Sequence, residues 1–396
     1  MSVPLRQQIR VGSYVVKQKL KRNKRYPLVL MLEPLFQCNL ACPGCGKIDY
    51  PDSILQRRLS VQECIDAAEE CGAPVVSIPG GEPLIHKEIG EIVNGLVERK
   101  FFVYLCTNAL LLRKKMHLFE PSPYLTFSIH LDGLKAEHDA AVNQKGVFDA
   151  AVKAIQEARD KGFRVNVNAT LFNNAEADKV AEFLDYVHEE LGVDGVTVSP
   201  GYAYERAPDQ EHFLNRAQTK NLFRDLFKYG KGKKWQLSQS SLFLDFLAGN
   251  QDYRCTPWSN PTRNIFGWQR PCYLLNEGYA QSYKELMEET AWESYGTGNY
   301  EKCANCMVHC GYEGSAVEDA MRNPLKALWV SLRGPKTKGN MAPEIPLDQA
   351  RPAEYVFEEI VASAQAKQDD GAAASKARPA NKAKSEAKSE DEHAAA

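Results

Sequence analysis

The sequence contains no apolar run of 18 residues in its 396, which excludes a membrane-spanning helix. Its first 26 residues hold no Asp or Glu, and no apolar core followed by a small-residue cleavage site. That excludes a secretory signal and implies a cytoplasmic chain. Neither sign of charge dominates: 49 Lys and Arg against 51 Asp and Glu leave a net charge of −2, which argues against nucleic acid as a partner. No fourth cysteine stands beside Cys38, Cys42 and Cys45, because the next, Cys64, falls in a helical stretch. Beyond Val361 there is no large hydrophobe, and residues 336–396 are expected to loosen into an extended, largely disordered tail.

What is present is ordinary for a globular protein. A content of 44% hydrophobic and 25% charged residues can build a sizeable core in about two domains. Apolar strand-like runs at 28–33, 74–78, 101–107, 124–130, 163–171 and 195–199 alternate with helical stretches at 60–71, 86–99, 109–116, 146–161 and 175–191. Ser60 and Glu63 make a capping box that opens the first of these helices. Such alternation predicts parallel βα units. Six of them give an α/β fold, a partial (β/α)6 TIM-like barrel over 27–230, followed by a smaller cysteine-rich domain over 231–335. Functional groups should then gather where the barrel strands end.

Residues 1–26 form a basic amphipathic arm of eight cations with apolar Leu5, Ile9, Val16 and Leu20, interrupted near Gly12. It either lies peripherally on the inner, anionic face of a membrane or packs against the bottom of the barrel.

Eleven cysteines in a reducing compartment point to metal or redox chemistry rather than disulfides. Cys38, Cys42 and Cys45 have C-x3-C-x2-C spacing on one loop after the first strand. Three thiolates suit three corners of a [4Fe–4S] cubane and leave one iron open. Structural zinc would be a ligand short, and an odd trio does not pair off. Gly80-Gly81-Glu82-Pro83 follows the second strand, where glycine permits close backbone approach and Glu82 can accept from an ammonium; a plain tight turn is the alternative. Asn108 ends the third strand. Ser128, His130 and Asp132 share one face of the fourth and can bond ribose hydroxyls. Asn168 of the fifth strand and Ser199 of the sixth complete the candidate cofactor contacts. Cys64 and Cys71 read as core, and the aromatic-rich residues 201–250 as a lid and connector.

The cysteine loop resembles the signature of the radical SAM superfamily, with Gly80–Pro83 similar to its GGEP motif. That resemblance implies an open iron chelated by S-adenosylmethionine, used as co-substrate, and an electron donor such as flavodoxin or ferredoxin. One departure is Gly44, where most members carry an aromatic residue near the adenine. The runs CNLACPGCG and GYAYERAPDQEHF resemble the branch of hopanoid biosynthesis. They imply addition of the 5′-deoxyadenosyl radical to the alkene of a hopene (diploptene), giving adenosylhopane. On that reading Cys106 is a candidate hydrogen-atom donor, provided its strand face points inward. The rival reading is a peptide or protein maturase that releases 5′-deoxyadenosine; a metal-binding interaction module is a third. Cys255, Cys272, Cys303, Cys306 and Cys310 resemble an auxiliary-cluster (SPASM/twitch) domain, with a zinc knuckle that includes His309 as the alternative.

Overall fold

The computed structural model describes residues 3–354 apart from 203, 205 and 206, together with 359, 361 and 362. The rest of the expected tail lies outside the described residues. Six apolar runs form the strands β1 (Val29–Glu33), β2 (Val75–Ile78), β3 (Phe102–Thr107), β4 (Leu125–His130), β5 (Arg164–Leu171) and β6 (Gly195–Pro200). Neighbours in sequence pair in parallel from β1 to β6. Buried Val, Leu, Ile and Phe alternate along them with residues that line the interior, as strand periodicity requires.

The helices α1 (Leu5–Leu20), α2 (Val61–Cys71), α3 (Ile89–Glu98), α4 (Val147–Asp160) and α5 (Ala177–Asp185) belong to this half. The Ser60–Glu63 capping box opens α2. Cys64 and Cys71 on α2 are buried. Expected helix 109–116 shortens to Leu112–Lys115.

α1 runs unbroken through Gly12, since a single glycine costs a helix only about 1 kcal/mol. Gln7 and Val15 are buried on its inner side, and the Tyr104 hydroxyl at the barrel bottom donates to Gln7 Oε1 at 3.1 Å. Leu5, Ile9, Val16 and Leu20 face outward.

The expected boundary near 231 is not where the sheet stops. β7 (Thr262–Asn264) pairs in parallel with β1, and β8 (Gly267–Gln269) and β9 (Tyr279–Ala280) add antiparallel strands beyond it. β7 is too short and polar to announce itself, yet it finds an open edge on β1, and unpaired backbone groups recruit such partners. At the other end, the backbone of 236–238 runs beside β6: Val196 N donates to Gln236 O and Ser238 N to Val196 O, both at 2.8 Å. The barrel therefore stays open between β6 and β9.

Four further helices, α6 (Arg216–Tyr229), α7 (Ser241–Leu247), α8 (His309–Arg322) and α9 (Pro324–Arg333), belong to the second half. Residues 336–354, expected to be loose, are anchored. Lys220 Nζ bonds Glu344 at 2.7 Å, and the Arg351 guanidinium covers the Tyr300 ring at 3.9 Å.

Candidate active site

A cavity of about 1730 Å³ runs through the barrel. It is lined by Cys38, Cys42 and Cys45, and by Gly80, Gly81, Glu82, Cys106, Asn108, Ser128, His130, Asp132, Asn168 and Ser199. Those are Cys106 and the residues expected to hold the first cluster and its cofactor, with one exception. Pro83 does not line it; it is buried at the first position of a 3-10 turn over Pro83–Ile85, where its missing N–H costs nothing.

The cysteine loop follows β1. A turn closes it through Cys45 N donating to Cys42 O at 3.0 Å. Leu40 N points at Cys38 Sγ at 3.4 Å, and Asn108 Nδ2 donates to Asn39 Oδ1 at 2.8 Å. Burial pushes the Cys38 thiol up to about 11 and Cys42 up to about 12, and the neighbouring cysteines push both the same way. Thiolates crowded with no cation between them are unfavourable. A cationic metal cluster removes that cost, so the donor set fits a [4Fe–4S] group.

Gly81 serves the loop rather than a ligand. A Cβ there would meet Phe36 O at 2.2 Å and Gln37 O at 2.3 Å. Gly81 N and Glu82 N in turn donate to Leu35 O and Gln37 O at 3.0 and 2.9 Å. The Glu82 carboxylate accepts from Leu84 N, the Thr107 hydroxyl and Asn108 N at 2.9–3.0 Å. It clamps the end of β3, so the ammonium expected for it would share a carboxylate already bonded three times. Burial raises its pKa to about 7 against those bonds.

His130 Nε2 lies 2.8 Å from Asp132, and Thr170 N donates to Asp132 Oδ1 at 2.7 Å. Burial disfavours charge on His130, but the carboxylate beside it prevails and its pKa rises. Cys106 faces inward: its sulfur lies 3.4 Å from Ser77 Oγ, and it shares the cavity wall with Tyr104 and Asn108. The Ser199 hydroxyl bonds His309 Nδ1 at 3.0 Å, so one His309 nitrogen is already engaged away from any zinc knuckle.

Several contributors were not visible as motifs. The space beside Gly44 is occupied by Phe172, whose ring would lie 3.0 Å from a Cβ at position 44, with Phe213 packed at 5.8 Å. An aromatic from the end of β5 thus stands where the loop lacks one. Lys47 bonds the fully buried Glu33 at 2.9 Å and lies over the Tyr273 ring at 4.5 Å. The strap at 207–213 laps the loop, with Asp209 N donating to Pro43 O at 3.1 Å.

The five C-terminal cysteines converge. Burial raises the Cys255 thiol most, and Cys306, Cys272, Cys303 and Cys310 each raise it further. A Cβ on Gly311 would lie 3.0 Å from Cys255 Sγ. All five are free thiols. Among the described residues no three Cys, His, Asp or Glu side chains close on one point as a single metal ion demands; a cubane takes its ligands around a larger body. Tyr202 packs in this group, its hydroxyl donating to Lys302 O at 2.9 Å. Tyr204 and Tyr273, 6.2 Å apart, lie between the two cysteine groups.

Comparison with known proteins bears on both halves. Residues 196–330 match a domain of unknown function (DUF3463), and residues 32–187 match the radical SAM superfamily. The chain is 31% identical over 174 residues to mycofactocin maturase MftC of Mycolicibacterium smegmatis, covering 42% of this chain and 43% of that protein. It is 27% identical over 158 residues to Fe-coproporphyrin III synthase of Methanosarcina barkeri, 39% of each chain. It thus spans less than half the length of these curated relatives. The fold is shared with SuiB of Streptococcus suis at a TM-score of 0.58, 18% identity and 76% coverage of each chain; SuiB is also solved bound to S-adenosylmethionine and to the precursor peptide SuiA.

These likenesses are to maturases and other radical SAM enzymes. They overturn the expectation of adenosylhopane formation and of a hopene partner. The superfamily match over 32–187 implies a [4Fe–4S] cluster and S-adenosylmethionine as cofactors. What the chain shows is a match to the radical SAM superfamily over residues 32–187.

Proposed function

We propose that the chain is a radical SAM enzyme of the maturase type, acting on a peptide or protein. The observation that carries the reading is a pair of cysteine groups with Tyr204 near both of them, together with the likeness to MftC and the fold shared with SuiB. Cys38, Cys42 and Cys45 would hold the first cluster, and four of the five C-terminal cysteines an auxiliary one. When bound and reduced, the cluster and S-adenosylmethionine supply a 5′-deoxyadenosyl radical for hydrogen abstraction.

The chain's own residues shape the space around that event. Asn108 fixes the loop through Asn39, and Glu82 fixes Asn108. His130 and Asp132 present a paired donor and acceptor to hydroxyls. Phe172 offers an apolar ring at Gly44. The strap covers the loop through Asp209 and limits water, which would quench reactive species. Cys106 places a thiol on the same wall.

Anaerobic incubation with S-adenosylmethionine, dithionite and candidate precursor peptides tests the reading. Accumulation of 5′-deoxyadenosine with a peptide that has lost hydrogen supports it. Transfer of the whole adenosyl group onto a carbon of the substrate, without free 5′-deoxyadenosine, overturns it.

A further inference from the structure

Charge and apolar exposure are concentrated at one end of the barrel. Residues 1–26 contain eight cations and no acid, and residues 320–343 contain five cations (Arg322, Lys326, Arg333, Lys336 and Lys338) and no acid. The whole chain is slightly negative, so thirteen cations in two short stretches that hold no acid of their own are a marked asymmetry. Among the described residues, nine of the eleven exposed large hydrophobics fall on the helices of these same stretches. On α1 they are Leu5, Ile9, Val16 and Leu20; on α8 and α9 they are Met321, Leu325, Leu328, Trp329 and Leu332.

The spacing makes them continuous stripes. Leu325, Leu328, Trp329 and Leu332 follow i, i+3, i+4, i+7, one face of a helix. On α1 the exposed apolar stripe lies opposite the buried Gln7 and Val15. Leu5 is 67% exposed and Leu325 81%, and α9 has no buried residue at all. Val11 and Val15 of α1 and Met321, Trp329 and Leu332 all line the same cavity. Acids that approach this end are already engaged: Glu318 with Arg322, Asp319 with Lys326, and Glu293 with Arg25.

We infer that this end of the protein docks on an anionic lipid bilayer. Leucines and a tryptophan in a stripe bordered by Lys and Arg are what the interface between headgroups and acyl chains accepts. Cations add attraction to an anionic leaflet. An apolar patch of this kind is otherwise rare on a monomer's surface. In this orientation the barrel axis stands on the membrane, with the cysteine groups at the far, aqueous end.

The test is co-sedimentation of the full-length, cluster-loaded protein with vesicles of phosphatidylcholine alone and with added phosphatidylglycerol. Binding is expected only with phosphatidylglycerol, and to fall with salt. Arg10→Gln/Lys17→Gln/Lys21→Gln should weaken it about a hundredfold, each lost cation accounting for about fivefold. Leu5→Ser/Ile9→Ser/Leu325→Ser/Leu328→Ser, all at exposed positions that keep the melting temperature, should abolish it. Equal binding to both vesicle types, or no binding, overturns the inference. So does sedimentation velocity that shows a dimer lost in the serine variant, which would assign the face to a second copy of the chain.

Discussion

The first cysteine group occupies eight consecutive residues, Cys38 to Cys45; the second is spread over 56, from Cys255 to Cys310. One is written by local spacing, the other by tertiary structure. The loop takes shape through its own turn, the Gly81 contact beside it and the Asn108 brace. The second group needs the connection between β8 and β9 to carry Cys272, a 3-10 turn to carry Cys303, and the start of α8 to carry Cys310. A local site should therefore fail at single residues, and an assembled one together with the packing around it.

The sharpest break is expected from Cys38→Ala, Cys42→Ala or Cys45→Ala. Each should abolish S-adenosylmethionine cleavage and remove about four irons per chain, the content of one cubane, while the melting temperature holds. Iron analysis with a cleavage assay checks this, and retained cleavage would dissolve the distinction. Cys306→Ser/Cys310→Ser should also cost about four irons. Because both side chains are buried within the second half, it should lower the melting temperature as well, yet leave 5′-deoxyadenosine formation measurable.

Two glycines then separate backbone from side-chain crowding. Gly81→Ala would press a methyl into two backbone carbonyls and should cost about 3 kcal/mol or more, read by chemical denaturation. Gly44→Ala meets only the edge of the Phe172 ring at 3.0 Å, which can turn aside, and should cost about 1 kcal/mol or less.

The smallest effect concerns Glu313 on α8. Its pKa is raised to about 7 by burial, against bonds from Ser240, and its Oε2 has no partner. The fold therefore prefers the protonated acid. Stability from this group is present below the unfolded pKa and declines as pH rises through the folded value. Between about pH 5 and 8 it should fall by about 1–3 kcal/mol. Glu313→Gln should flatten that slope, as melts across this range would show.

All six barrel strands were legible because buried β-branched and aromatic runs leave no other reading. The loop cysteines were legible because their spacing is local. What stayed hidden depended on partners distant in sequence. β7 is Thr-Arg-Asn and becomes a strand only through the free edge of β1. Phe172 follows β5 and meets Gly44 only after the barrel closes. Glu82 was legible as a cavity residue, but its bonds to Leu84, Thr107 and Asn108 were not, because two of them join residues far apart in sequence. Gly12 suggested a break, yet one glycine costs a helix only about 1 kcal/mol, less than the packing of α1 on the barrel provides.

The separation between the two cysteine groups also sets a schedule for synthesis. By the time residue 108 has left the ribosome, the chain holds Cys38 to Cys45, the Gly81 contact and the Asn108 brace. The second group cannot exist until residue 310 is out. Domains form as they emerge, at about 5–20 residues per second, so roughly ten seconds or more pass in which only the earlier thiols can receive iron. A cell short of iron during that interval would yield chains filled at the first position and empty at the second.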